Sequence, residues 1–123
     1  IWTVEDALRC QAESGCADLM LGRGIVADPG LAWRIRKAWA ERQGEPVPAG
    51  YRDVQWPDLL PALQRFWDLV CADLEPRQRA GRLKQWLNLL RRCYPEAQRA
   101  FDEVRVMTDQ RVITAWVRQV ADQ

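Results

Sequence analysis

Between Pro76 and Tyr94 the apolar residues Leu83, Trp86, Leu87, Leu90 and Tyr94 recur at i, i+3, i+4, i+7 and i+11. That spacing gathers them on one face of an α-helix and commits the face to a core. The basic residues Arg77, Arg79, Arg82, Lys84, Arg91 and Arg92 share the segment, with no acid among them. Such a helix either solvates an ordinary charged face or offers positive charge to an anion. The imbalance is local. From Pro76 to Arg99 seven bases stand against one acid, Glu96, in a chain whose formal net charge is +1.

A chain of 123 residues with seven Trp can bury a real core, so a globular protein is expected rather than a disordered one. Cys10, Cys16, Cys71 and Cys93 form no CxxC pair, and the chain has no His, which argues against a zinc site. Four isolated thiols suggest a reducing, cytoplasmic setting and a packing role for each. No apolar run approaches the roughly 20 residues that span a bilayer. The chain begins at Ile1 rather than Met and reads as a piece of something longer.

Residues 3–14 read as a helix capped by Thr3 and Asp6 and stopped at Gly15, with Val4, Ala7, Leu8 and Ala12 on its apolar face. The run Cys16-Ala17-Asp18-Leu19-Met20-Leu21 suits a strand or part of a helix by itself. The helix before it and Gly22-Arg23-Gly24 after it favour a buried parallel strand. Leu31, Ile35, Ala38 and Trp39 then keep helical spacing to about Glu41. Gly44, Pro46, Pro48 and Gly50 mark a break. Beyond it four helices follow in close succession. Their inward residues are Leu59, Leu60, Leu63, Phe66, Trp67 and Val70 on the first, and the stripe from Leu83 on the second. The third offers Ala97, Ala100, Phe101 and Val104, and the fourth Val112, Ile113, Trp116 and Val120. The expected fold is mainly α: residues 1–44 hold helix, strand, Gly-rich turn and helix, a βα repeat without its neighbours, and a four-helix bundle follows over residues 45–123.

Gly-Arg-Gly after a strand can hold a phosphate, since glycine lets backbone N–H groups approach an anion and Arg23 adds charge. Here the pattern becomes specific. Thr3-Val4-Glu5-Asp6-Ala7, then Gly15-Cys16-Ala17-Asp18-Leu19-Met20-Leu21-Gly22-Arg23-Gly24 with Pro29 beyond, resembles the closing part of the flavin barrel of tRNA-dihydrouridine synthases. A second block agrees. Arg82-Leu83-Lys84-Gln85-Trp86-Leu87, with Leu90, Arg91 and Tyr94 beyond it and Phe101, Val104, Arg105 and Val106 further on, is similar to the C-terminal helical domain of the bacterial DusC-like subgroup.

The resemblance implies that residues 1–44 end a truncated (β/α)8 barrel and that residues 45–123 bind tRNA. It implies a cytoplasmic flavoenzyme that reduces a uridine, position 16 of the D-loop in this subgroup, to dihydrouridine with flavin mononucleotide (FMN) and NADPH. Gly22 and Arg23 would bind the FMN phosphate, and Arg82, Lys84 and Arg105 would contact tRNA. None of the four cysteines matches the family's catalytic one, so this chain holds no catalytic residue and no metal ligand. A stand-alone helical RNA-binding or interaction module is the alternative. Arg82 and Lys84 flank Leu83 about 160° apart, at roughly 100° per residue, so separate RNA contacts are expected of them. The aromatic residues Trp56, Phe66, Trp67, Trp86, Phe101 and Trp116 are read as core rather than as base-stacking platforms. Trp33 and Trp39 are expected to leave an apolar patch that drives self-association.

Overall fold

The computed structural model describes residues 1–122. The chain forms two compact units that divide between Val54 and Gln55, ten residues past the boundary expected at 44, so the Pro- and Gly-rich break belongs to the first. Among the described residues there are helices and no strand.

In the first unit α1 spans Val4–Ser14, α2 Arg23–Ala27 and α3 Leu31–Arg42. Thr3 starts α1. Its Oγ1 accepts from the Asp6 N–H at 3.1 Å, and Asp6 accepts in return from the N–H groups of Trp2 and Thr3 at 3.0 and 3.2 Å. These bonds, that from Trp2 first, favour the ionised carboxylate and hold Asp6 below its ordinary value of 3.8. Gly15 ends the helix in the left-handed conformation at φ 72°, as Gly does at a C-terminus. Ala7, Leu31 and Ile35 are buried together, with Ile1, Val4, Leu19, Leu21 and Ile25 packed around them. Asp28, buried, is paired with Arg34.

The strand expected over Cys16–Leu21 does not form. The segment is irregular, and Met20 is 87% exposed. One parallel strand has no ladder to join, so its polar backbone turns to water instead. The glycine turn, in contrast, initiates a short helix that sequence spacing does not reveal. Ala12 is exposed rather than inward. Of the cysteines, Cys16 and Cys93 are exposed and Cys10 and Cys71 half-buried, so a common buried packing role is not what the fold gives them.

In the second unit α4 spans Trp56–Asp73, α5 Pro76–Leu90, α6 Pro95–Val104 and α7 Gln110–Ala121. Each start is chemically marked. Asp58 accepts from the Gln55 N–H at 2.8 Å, Pro76 and Pro95 open α5 and α6, and Asp109 accepts from the Arg111 N–H at 2.8 Å. Pro61 lies inside α4, and the helix runs through it. α5 packs against α4, α6 and α7, and α4 against α7. The core they share includes Leu63, Trp67, Leu83, Leu87, Leu90 and Ile113, all essentially inaccessible. Burying each such side chain is worth about 1.5–3 kcal/mol before chain entropy is counted. Trp67 is anchored further by its indole N–H, which donates to Thr114 Oγ1 at 2.9 Å.

Two details differ from the spacing argument. α5 stops at Leu90, and Tyr94 enters the core from the start of α6, its ring 6.2 Å from that of Trp56. Val112, expected inside, is 48% exposed, while Val117 is buried. No helix among the described residues is long and apolar enough to cross a membrane.

Candidate nucleic-acid interface

The stripe of α5 faces inward through Leu83, Leu87 and Leu90. Its opposite arc must therefore face out, and it carries Gln78, Gly81, Gln85 and Asn88, all exposed. These residues line a shallow groove of about 590 Å³. Arg82 and Lys84 also line it, and Phe101 of α6 completes the wall. The two cations stand about 200° apart through Leu83 and about 160° apart around the outer side of the helix, where the groove lies between them. The stripe thus puts both on one surface feature, where separate contacts were expected.

The groove is lined by two cations, three amides, a glycine and an aromatic ring, and by no carboxylate. Neither Arg82 nor Lys84 has an ion pair to a carboxylate among the described residues. The neighbouring bases are engaged elsewhere. Arg77 pairs with Glu75 at 3.2 Å, and Arg79 donates to the Leu74 carbonyl and to Gln110 Oε1, each at 2.8 Å. Arg91 stacks 4.7 Å from the Phe101 ring centroid and donates to Gln98. Arg105 stands exposed at the end of α6 and does not line the groove.

Gly81 is the second unit's single glycine. It sits within α5 at a helical conformation, and a Cβ built there would meet no atom within 4 Å. A glycine inside a helix costs about 0.5–1 kcal/mol relative to alanine. Sequence reading missed the groove. Its signal was the recurrence of short or amide side chains at 78, 81, 85 and 88, opposite the stripe.

Trp67 and Trp116 are buried, and Trp116 donates to Glu103 Oε2 at 2.7 Å. Phe66 and Trp86 pair at 4.9 Å, both half-buried. Phe101 is the one that reaches the groove.

In the first unit, the two glycines of Gly22-Arg23-Gly24 do different work. Gly22 turns the chain at φ 57°, with open space where a side chain would be. Arg23 is exposed next to it, at the first position of α2. Gly24 is buried, and a Cβ there would run into the carbonyl of Ile1. At Gly22 the backbone is therefore uncovered, and the exposed cation Arg23 follows it in the chain. Gly24 serves packing. A hollow of about 490 Å³ opens elsewhere in this unit, lined in part by Leu19, Leu21, Ile35 and Trp39, with Trp39 39% exposed.

No family model matches the chain. Over 105 residues, 85% of its length, it is 48% identical to the tRNA-dihydrouridine(16) synthase of Pseudomonas putida, of which the match covers 30%. The protein of that name from Aquipseudomonas alcaligenes is also 48% identical over 105 residues, 31% of its length. That from Pseudomonas syringae is 45% identical over 109 residues, 89% of this chain and 32% of the relative. The chain thus spans about a third of the length of the curated relatives it matches.

Proposed function

We propose, for a chain that belongs to the tRNA-dihydrouridine synthase family, that its second unit grips folded tRNA while a flavin-bearing part of the same enzyme reduces a uridine to dihydrouridine. The relatives' names point to uridine 16 as the target. The observation that carries the reading is the groove on α5. Arg82 and Lys84 border one trough that holds no carboxylate.

Reduction of a base needs that base out of its stack, and the reacting site cannot also choose among the many uridines of a folded RNA. A second surface must hold the tRNA body. Folded RNA offers phosphates, 2′-hydroxyls and shape. Arg82 supplies a planar fork for phosphate oxygens and Lys84 a mobile point charge. Arg105, exposed at the end of α6, adds a third cation for the same RNA. All three stand on or beside helices fixed by the core, so the grip sets register rather than following the RNA.

Gly22 and Arg23 would hold the phosphate end of FMN, the uncovered glycine admitting the anion and the guanidinium pairing with it. Bound FMN, recharged by NADPH, supplies the hydride. This chain's part in the chemistry is to hold the phosphate and place the RNA. It supplies no proton donor and works in the cytoplasm as part of a larger flavoenzyme. The hollow of the first unit, where Leu19, Ile35 and Trp39 lie beside Asp18, Arg36 and Glu45, would meet the rest of that enzyme, or a second copy when the segment stands alone.

The test is a tRNA titration at several salt concentrations. Arg82→Ala and Lys84→Ala should each weaken binding by roughly 0.5–1.5 kcal/mol and reduce the salt slope by about 1. Wild-type affinity and slope in both variants would remove the basis of the assignment.

A further inference from the structure

We propose that Gly81 is a binding residue, the floor of a seat for a ribose–phosphate strand of folded RNA whose rims are Arg82 and Lys84. The inference rests on the RNA-binding reading and deepens it.

Glycine at position 81 answers no need of the fold. Its backbone is helical and not left-handed, so conformation does not require it. A Cβ would meet nothing within 4 Å, so crowding does not require it either. Any other residue except proline would favour the helix more. What a side chain at 81 would change is the depth of the groove, since Gly81 lies on its lining between the two cations.

The lining also selects the occupant. Cations on both rims and no carboxylate call for a polyanion. Gln78, Gln85 and Asn88 can each donate and accept, which matches a 2′-hydroxyl, itself donor and acceptor. The aromatic Phe101 already carries the Arg91 guanidinium 4.7 Å from its centroid, so a face for stacking a base is taken. A sugar–phosphate strand lying along α5 uses every remaining feature, and it needs the missing Cβ to lie deep enough for both rims to reach its phosphates.

The experiment takes the whole chain with Gly81→Ala and Gly81→Leu, thermal melts of each, and titration with an unmodified tRNA transcript. Arg82→Ala and Lys84→Ala are run alongside. Alanine should raise the melting temperature by about 2–6 °C, as removal of a helical glycine does in a unit this small. Leucine should melt no lower than the wild type. Affinity should nonetheless fall in the order Gly, Ala, Leu, reaching about tenfold for leucine. Stability and binding moving in opposite directions is the signature, because a structural glycine would move them together. Wild-type affinity in Gly81→Leu overturns the seat, as does a melting temperature that falls in step with affinity. If the Arg82 and Lys84 variants weaken binding while Gly81→Leu does not, the seat fails and RNA binding stands. If none of the four changes binding, both fail.

Discussion

Arg79 Nη1 donates to Gln110 Oε1 at 2.8 Å, across the starts of α5 and α7, while Nε of the same guanidinium donates to the Leu74 carbonyl at 2.8 Å. The Gln110 amide continues to Cys71 Sγ at 3.7 Å. One base of the cationic segment is therefore a tie among α4, α5 and α7, its guanidinium held by neutral acceptors within the unit. Charge counting along the sequence cannot separate it from Arg82, three residues on.

Arg79→Ala should consequently behave unlike the groove variants. It removes two hydrogen bonds from a charged donor and should destabilise the second unit by about 1–3 kcal/mol. The salt slope of tRNA binding should stay at the wild-type value. Urea unfolding followed by Trp fluorescence, paired with a salt titration, reads both. A slope lowered by about 1 would place Arg79 on the RNA after all.

The Trp67–Thr114 bond makes a sharper stability test. Thr114→Val keeps shape and leaves the buried indole N–H without its acceptor, which should cost about 1–3 kcal/mol. Thr114→Ser keeps the acceptor and should cost much less. Denaturant midpoints should shift with an unchanged m-value. Equal losses in both variants would mean that the hydrogen bond does not set the cost.

These contrasts show what the sequence could reveal. Helix periodicity located α1, α3, α4, α5, α6 and α7 because each buries a stripe, and a stripe is a local pattern. Thr3 with Asp6, and Pro76 and Pro95, marked starts because caps are local too. The reading failed where the outcome depends on partners far along the chain. Cys16–Leu21 has the composition of a strand, but a strand exists only as a member of a sheet. Tyr94 continues the α5 stripe in spacing, yet α5 ends before it. At the site, the cations were legible as charge, whereas their meeting around one groove was not. That meeting depends on which arc of α5 the other three helices leave uncovered.

Asp6 makes the first unit acid-sensitive in a definite direction. Its carboxylate accepts from the backbone of Trp2 and Thr3, so its folded value lies below the ordinary 3.8. The stabilisation is thus complete above pH 3.8 and is lost as the pH falls through the lowered folded value. Protection of the Trp2 and Thr3 amides, relative to their intrinsic exchange rates, should fall over that acid range in the wild type and be low throughout in Asp6→Asn. An NMR titration of the Asp6 carboxyl at or above its ordinary value would refute the capping account.

Gly24→Ala separates the two glycines of the turn. A methyl at 24 meets the backbone carbonyl of Ile1, which cannot rotate aside as a side chain would. The N-terminal strand of coil must shift, opening the contact between Ile1 and the cluster of Ala7, Leu31 and Ile35. A loss of about 1–3 kcal/mol is expected, the range for overpacking. Gly22→Ala has open space in front of it, but at φ 57° and ψ −135° a side chain is strained, at a cost of about 1–3 kcal/mol. Protease protection of the first unit should therefore drop in both variants. In a parent enzyme that carries the flavin, cofactor retention should fall more for Gly22→Ala, because of the two only Gly22 is proposed to hold the phosphate. Equal retention in both variants would take Gly22 out of the phosphate site and leave Arg23 as its sole remaining candidate here.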